Sequence, residues 1–212
     1  VHDHPAQSIL SKLREMRLSV MANALKDQLA DPQFQNMTFE DRLGLLVDEE
    51  WNARKNNHLN KLIRQATFSD PGACLENVEY LPDRGLKQEE LLRFSTCNYI
   101  QEHHNIILLG ATGSGKTYLA CALGMAAVRR FYAVKYIRLP DLLVEFQIAR
   151  GNGTIRKLMA QYKKYALLII DEWLLSPRPL RFPFFRAGVN IFTLWCSHGT
   201  RQKPPLRLAL PV

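Results

Sequence analysis

The chain has 212 residues, 47% of them apolar and 23% charged, which suffices for a buried core and excludes a wholly disordered protein. Its longest charge-free runs, 117–128 and 187–200, fall short of the roughly 18 apolar residues of a membrane helix, so no membrane span is expected. The net charge of +8 is concentrated in the tail, where Arg178, Arg181, Arg186, Arg201, Lys203 and Arg207 stand without an acid, leaving +2 across 1–177.

The N-terminus, Val1-His2-Asp3-His4-Pro5, lacks the basic start and apolar core of a secretion signal. It lacks an initiator Met, which leaves processing, truncation and another start open. His2 and His4 read as a frayed terminus rather than a metal site. Cys74, Cys97, Cys121 and Cys196 are scattered, with no C-x-x-C pair, and His103-His104 has no cysteine nearby. Isolated thiols are expected instead of zinc, in keeping with a reducing cytoplasm.

In chain order, Ile9, Leu13, Met16, Val20, Leu25 and Leu29 recur near a 3.6 period and predict one helix that Asp31-Pro32 stops. A second helix starts at Thr38, an N-cap with Asp41 three residues on. Phe39, Leu43, Leu46, Trp51, Leu59, Leu62 and Ile63 give it an apolar stripe. Its later half carries Arg54, Lys55, His58, Lys61 and Arg64. That stretch is either a surface for DNA phosphates or a solvated face balanced by Asp48, Glu49 and Glu50.

A connector follows over 67–83, with turns at Ser69-Asp70-Pro71-Gly72 and Leu81-Pro82-Asp83. A helix is expected over 87–102. From there the pattern changes to buried strands at 105–109, 133–138 and 166–170, alternating with helices at 118–130, 141–150 and 155–164. Apolar strands alternating with helices predict an α/β fold with a parallel sheet.

Gly110-Ala111-Thr112-Gly113-Ser114-Gly115-Lys116-Thr117 fits G-x-x-x-x-G-K-[ST], with a strand before it and a helix after it. Glycines let the backbone N–H groups face phosphates, and the helix N-terminus adds its positive end. Lys116 is the residue expected at the β- and γ-phosphates, and the Thr117 hydroxyl is expected on Mg²⁺. About 55 residues later an apolar strand ends in Asp171-Glu172. Asp171 is placed to hold Mg²⁺ and Glu172 to activate a water. A base dedicated to water suits nucleoside triphosphate hydrolysis used as a motor or switch better than transfer to a bound acceptor.

Two sets of segments carry a family resemblance. Lys12–Leu18 with Leu29-Ala30, then Arg42-Leu43 through Trp51 and Arg54, resemble the helical N-terminal domain of IstB-type transposition helpers. Residues 108–120 and Leu167–Trp173, with Ala122-Leu123-Gly124 and Tyr136-Ile137-Arg138, resemble their AAA+ core. The likeness spans about 8–177, and DnaC-type helicase loaders are close relatives. It implies a P-loop AAA+ parallel-sheet core preceded by a small helical domain. It further implies a cytoplasmic ATPase that binds double-stranded DNA as an oligomer and directs a cognate transposase. The residues so implicated are Gly110 to Thr117 for ATP, Thr117 and Asp171 for Mg²⁺, and Lys116 and Glu172 for catalysis. Arg54, Lys55, Lys61 and Arg64 lie in the domain the family uses on DNA.

The resemblance ends near Pro177. Six of the 11 prolines lie in 177–212, which resembles a truncated or out-of-frame ending. The resulting division is 1–66 helical, 67–104 connector and lead-in helix, 105–177 an incomplete P-loop core, and 178–212 an irregular basic tail. In the topology the resemblance implies, a strand belongs between the Asp171 and Gly110 strands. Residues 189–196 are expected to fill that slot poorly, for want of a crossover helix. A helicase loader, or a nucleotide-binding remnant with impaired hydrolysis, remains the alternative.

Overall fold

A computed structural model describes residues 5–80 and 86–172, together with the backbone strands 190–196 and 207–209. The chain divides into two compact units, 1–60 and 61–212. The boundary falls within a long helix rather than after it, six residues before the expected end of the helical domain.

In the first unit, α1 (Pro5–Glu15) and α2 (Ser19–Ala30) replace the single helix that the periodicity predicts. Arg17 breaks it in the left-handed region at φ 59°. The N–H groups of Arg17 and Leu18 close back on the carbonyls of Arg14 and Leu13, a Schellman closure with arginine where glycine is usual. Asp31 then ends α2, and its carboxylate accepts the Gln33 N–H of the 3₁₀ turn Pro32–Asn36.

α3 (Phe39–Ala66) begins as the sequence predicts. The Asp41 N–H donates to the Thr38 hydroxyl at 3.2 Å, and that hydroxyl donates to the Asp41 carboxylate at 2.7 Å. Thr38 thus caps the helix as in a capping box, but the aspartate returns to its hydroxyl and not to its backbone N–H. The expected stripe is only partly a core face. Leu46 and Leu62 are buried, while Phe39, Leu43 and Trp51 stand exposed at 73%, 39% and 58%. The side of α3 turned inward in this unit carries Leu46 and the carboxylate of Glu50.

Glu50 explains why α2 forms without a cap of its own. Its Oε2 accepts the Val20 and Met21 N–H groups at 3.1 and 3.0 Å. Two of the helix's otherwise unpaired donors are thus satisfied from thirty residues away. The Arg54 guanidinium on Oε1, with the Met21 N–H, lowers the Glu50 pKa below the usual carboxylate range.

The second unit holds a five-stranded sheet. Its strands are β1 (Ile106–Gly110), β2 (Val134–Arg138), β3 (Leu167–Asp171), β4 (Asn190–Cys196) and β5 (Arg207–Ala209). The order is β2-β3-β4-β1-β5, parallel except for β5 against β1. The expectation of a poorly filled slot is therefore corrected. β4 lies between β3 and β1 and pairs with both, Leu167 opposite Asn190 and Gly110 opposite Cys196. The stretch 173–189 lies outside the described residues, as do Leu81-Pro82-Asp83.

α4 (Gln88–Ser95) and α5 (Asn98–Gln101) replace the one helix expected over 87–102. The break is Cys97, buried and left-handed at φ 61°. α6 (Lys116–Arg129) follows β1 and is buried along most of its length. It is lined by small residues because it runs close to the sheet. At Gly124 an added Cβ would meet Ile169 Cδ1 and Phe68 Cε1 at 2.6 Å, so any larger residue would force these side chains to shift. α7 (Leu139–Gly151), with Pro140 in its first turn, and α8 (Ile155–Tyr162) form a hairpin. Its apolar side covers a cluster around Leu142, Tyr162, Leu168 and Ile170. Among the described residues no helix is long and apolar enough to cross a membrane.

Candidate functional site

The loop from Gly110 to Thr117 leaves the C-terminal end of β1 and enters α6 at Lys116. Gly113 and Gly115 take φ of 76° and 86°, conformations that side-chain-bearing residues adopt only at a cost. They turn the loop around the first turn of α6, where backbone donors are unpaired and the helix dipole favours an anion.

Lys116 is nearly buried, at 6% exposure. Its Nζ donates to the Gly110 carbonyl at 3.1 Å, the Ala111 carbonyl at 2.5 Å and Ser114 Oγ at 3.4 Å. Among the described residues these are neutral oxygens only, with no carboxylate within salt-bridge distance. A cation taken out of water ordinarily has an anionic partner. The loop presents that cation beside a helix N-terminus, an arrangement that could take an anion such as a phosphate chain.

Asp171 ends β3, which is buried at every position. The Thr117 hydroxyl donates to Asp171 Oδ2 at 2.8 Å, and the Tyr136 phenol donates to the same oxygen at 2.7 Å. The Glu172 N–H donates to Oδ1 at 2.7 Å. A hydroxyl and a carboxylate in contact have the donor chemistry of a Mg²⁺ site, which takes one or two carboxylates and completes its shell from phosphates and water. Glu172 is half-buried and left-handed at φ 58°. Such a backbone, in a residue with a side chain, is a strain that clusters at functional sites.

The structure thus brings Thr117 and Asp171 into contact, with Lys116 next to the first and Glu172 next to the second in the chain, at the strand ends where open α/β sheets bind ligands. Tyr136 in β2 is a member of this site that no motif identifies. Burial, and then the bond to Asp171, push its pKa up, so the phenol stays a donor at neutral pH.

A second unanticipated feature is a pocket of about 150 Å³ beside the loop. Val78, Leu86, Tyr118 and Leu119 form its apolar walls, with Asn77 and Glu79 on the connector side and Ser114-Gly115 at the loop. The connector is clamped there: the Tyr118 hydroxyl donates to the Cys74 carbonyl at 3.1 Å and accepts the Cys74 N–H at 3.3 Å. The pocket suits one moiety of a ligand, since whole drug-sized ligands take roughly 300–1,000 Å³. Only the apolar Val78 beside a turn-rich connector points to it in the sequence.

The four basic residues considered for DNA all lie on α3, Arg54 and Lys55 in the first unit and Lys61 and Arg64 in the second. Arg54 is already engaged. Its Nε pairs with Glu50 at 2.7 Å and its Nη2 donates to the Arg17 carbonyl at 2.8 Å. Lys55 lies over the Trp51 ring, 4.9 Å from its centroid. Lys61 and Arg64 are exposed.

Comparison with known proteins gives consistent results. The family model of the IstB-like ATP binding protein matches residues 11–181. A protein of Pseudomonas fluorescens, named as an ATP-binding protein of insertion sequence IS1162, is 38% identical over 167 residues, covering 79% of this chain and 72% of the relative. An insertion-sequence ATP-binding protein of Sinorhizobium fredii is 34% identical over 172 residues, covering 81% and 70%. Among solved structures, AMPPCP-bound DnaA from Aquifex aeolicus superposes with a TM-score of 0.52 at 26% identity, over 62% of this chain and 44% of DnaA. The core is therefore of the AAA+ type.

Proposed function

Because the chain belongs to the family of IstB-like ATP binding proteins, we propose that it is a helper of insertion-sequence transposition. In this reading it binds Mg·ATP and double-stranded DNA, assembles with further copies of itself, and hydrolyses ATP as a switch that directs a cognate transposase in the cytoplasm. One observation carries the nucleotide part: a nearly buried lysine held by neutral oxygens, beside a pair formed by a hydroxyl of the first turn of α6 and the carboxylate that ends β3.

The division of labour follows from the geometry. The N–H groups of Gly113 to Thr117 and the Lys116 ammonium bind the phosphates. Lys116 leaves the Gly110 and Ala111 carbonyls to do so. The base rests against Val78, Leu86, Tyr118 and Leu119. Thr117 and Asp171 would hold Mg²⁺, which would supply charge neutralisation at the phosphates. Glu172 orients and deprotonates the attacking water.

Two surfaces support the DNA part. Lys55, Lys61 and Arg64 are exposed on α3. Residues 146–170 carry five basic residues, Arg150, Arg156, Lys157, Lys163 and Lys164, with no acid among them, and all five are exposed. Each cation on a phosphate releases counterions and contributes to affinity in a salt-dependent way. The placement of β4 speaks against a remnant with a split sheet. The insertion-sequence names of the relatives favour the transposition reading over helicase loading. The test is ATP turnover with and without duplex DNA: DNA-stimulated hydrolysis is expected, and no hydrolysis under either condition would leave a nucleotide-binding module only.

A further inference from the structure

Two of the hydrogen bonds on Asp171 differ in what they can do once the site is loaded. The Thr117 hydroxyl is the group the proposed function sends to the metal, so its bond to Asp171 Oδ2 is one the loaded site gives up. The Tyr136 phenol has no such second task. It reaches the same oxygen at 2.7 Å from the neighbouring strand, where it is 7% exposed.

Tyr136 is held firmly enough to serve as a reference point. β2 pairs with β3 in register, Tyr136 opposite Ile169 and Arg138 opposite Asp171. The Tyr136 carbonyl accepts the Thr67 hydroxyl at 3.0 Å. Thr67 is itself left-handed at φ 53°, a strained conformation for a β-branched residue. A phenylalanine would fill the same volume without a polar atom to satisfy, so packing alone does not account for the hydroxyl.

We propose that Tyr136 is a positioning residue: its phenol fixes the orientation of the Asp171 carboxylate so that the other lone pairs face the nucleotide-bound divalent cation. The proposal rests on the reading of Thr117 and Asp171 as the magnesium site. Groups that hydrogen-bond a metal-ligating carboxylate commonly carry 10–100-fold of the metal affinity.

The experiment titrates Mg²⁺ into the full chain with a fluorescent ATP analogue. It compares wild type, Tyr136→Phe, Asp171→Asn and the double variant, with Mn²⁺ binding by electron paramagnetic resonance as a second readout. Tyr136→Phe is expected to raise the half-saturating Mg²⁺ concentration about tenfold or more. In the Asp171→Asn background the same change is expected to move it less than about twofold, because the phenol acts only through that carboxylate. An unchanged midpoint in Tyr136→Phe overturns the proposal while leaving the magnesium site intact. An equal shift in both backgrounds overturns it as well, since that marks a role in packing. Nucleotide binding by the wild type that ignores Mg²⁺ overturns the magnesium site itself, and Tyr136 with it.

Discussion

Replacing Lys116 with alanine removes the ammonium that the loop holds against Gly110, Ala111 and Ser114. In the empty site the loss is small in net terms. The bonds from this charged group are worth about 1.5–3 kcal/mol each, but they offset the cost of burying an ammonium that has no anionic partner, a cost the alanine removes. In the loaded site the same ammonium faces phosphate oxygens. Charge-assisted contacts of this kind contribute about 1.5–3 kcal/mol, which corresponds to roughly 10- to 150-fold in dissociation constant. Titration of a fluorescent ATP analogue in Mg²⁺ measures the difference, with thermal unfolding run alongside. The expected result is that large loss of affinity with a shift in melting temperature of only a few degrees. Wild-type affinity in the variant would refute the assignment of the loop. A melting temperature lowered so far that the variant is unfolded at the assay temperature would show instead that Lys116 holds the loop together.

Glu172→Gln keeps the size of the side chain and removes its basicity. ATP binding is expected to persist while turnover falls roughly 10²–10⁴-fold, and turnover within a few-fold of wild type would remove Glu172 from the role of base. Neutralising Lys55, Lys61 and Arg64 spares Arg54, which the fold uses to hold Glu50. The salt slope of duplex binding is expected to fall by up to about 0.9 for each of the three, and an unaltered slope would move the DNA surface to α7 and α8. Glu50→Ala uncaps α2 and is expected to cost about 0.5–2 kcal/mol near neutral pH by urea unfolding. The Glu50 pKa is lowered in the folded chain, so its contribution is complete above the unfolded value of about 4.5 and fades as pH falls through the folded one. The gap between wild type and variant should therefore close in acid, and a gap independent of pH would mean that the carboxylate charge is not what caps the helix.

The phosphate loop and the Asp171-Glu172 strand end are legible in the sequence because both are short, local and chemically specific. The same holds for Thr38 and Asp41, whose capping spacing is written in four adjacent residues. Breaks in helices are harder to read. Arg17 and Cys97 stand left-handed where the sequence has neither glycine nor proline, so the periodicity runs through them. Long-range partners are not legible at all. Glu50 caps a helix thirty residues earlier, and Tyr136 reaches Asp171 from the neighbouring strand, 35 residues away in the chain. Nothing in the spacing of either residue announces its partner. The proline-rich approach to β4 argues against a strand there. Yet such a lead-in constrains the connection and not the strand, and 190–196 pairs with both neighbours.

Whether ATP and its metal occupy the loop at the end of β1 is tested most directly by a crystal structure of the chain with a non-hydrolysable ATP analogue and Mg²⁺. The phosphates are expected against the N–H groups of Gly113 to Thr117, with Lys116 Nζ moved from the Gly110 and Ala111 carbonyls onto them. The Thr117 hydroxyl is expected to turn from Asp171 to the metal, and the base to sit beside Val78 and Tyr118. A nucleotide bound elsewhere, or a loaded loop with Lys116 still on those carbonyls, would contradict the assignment.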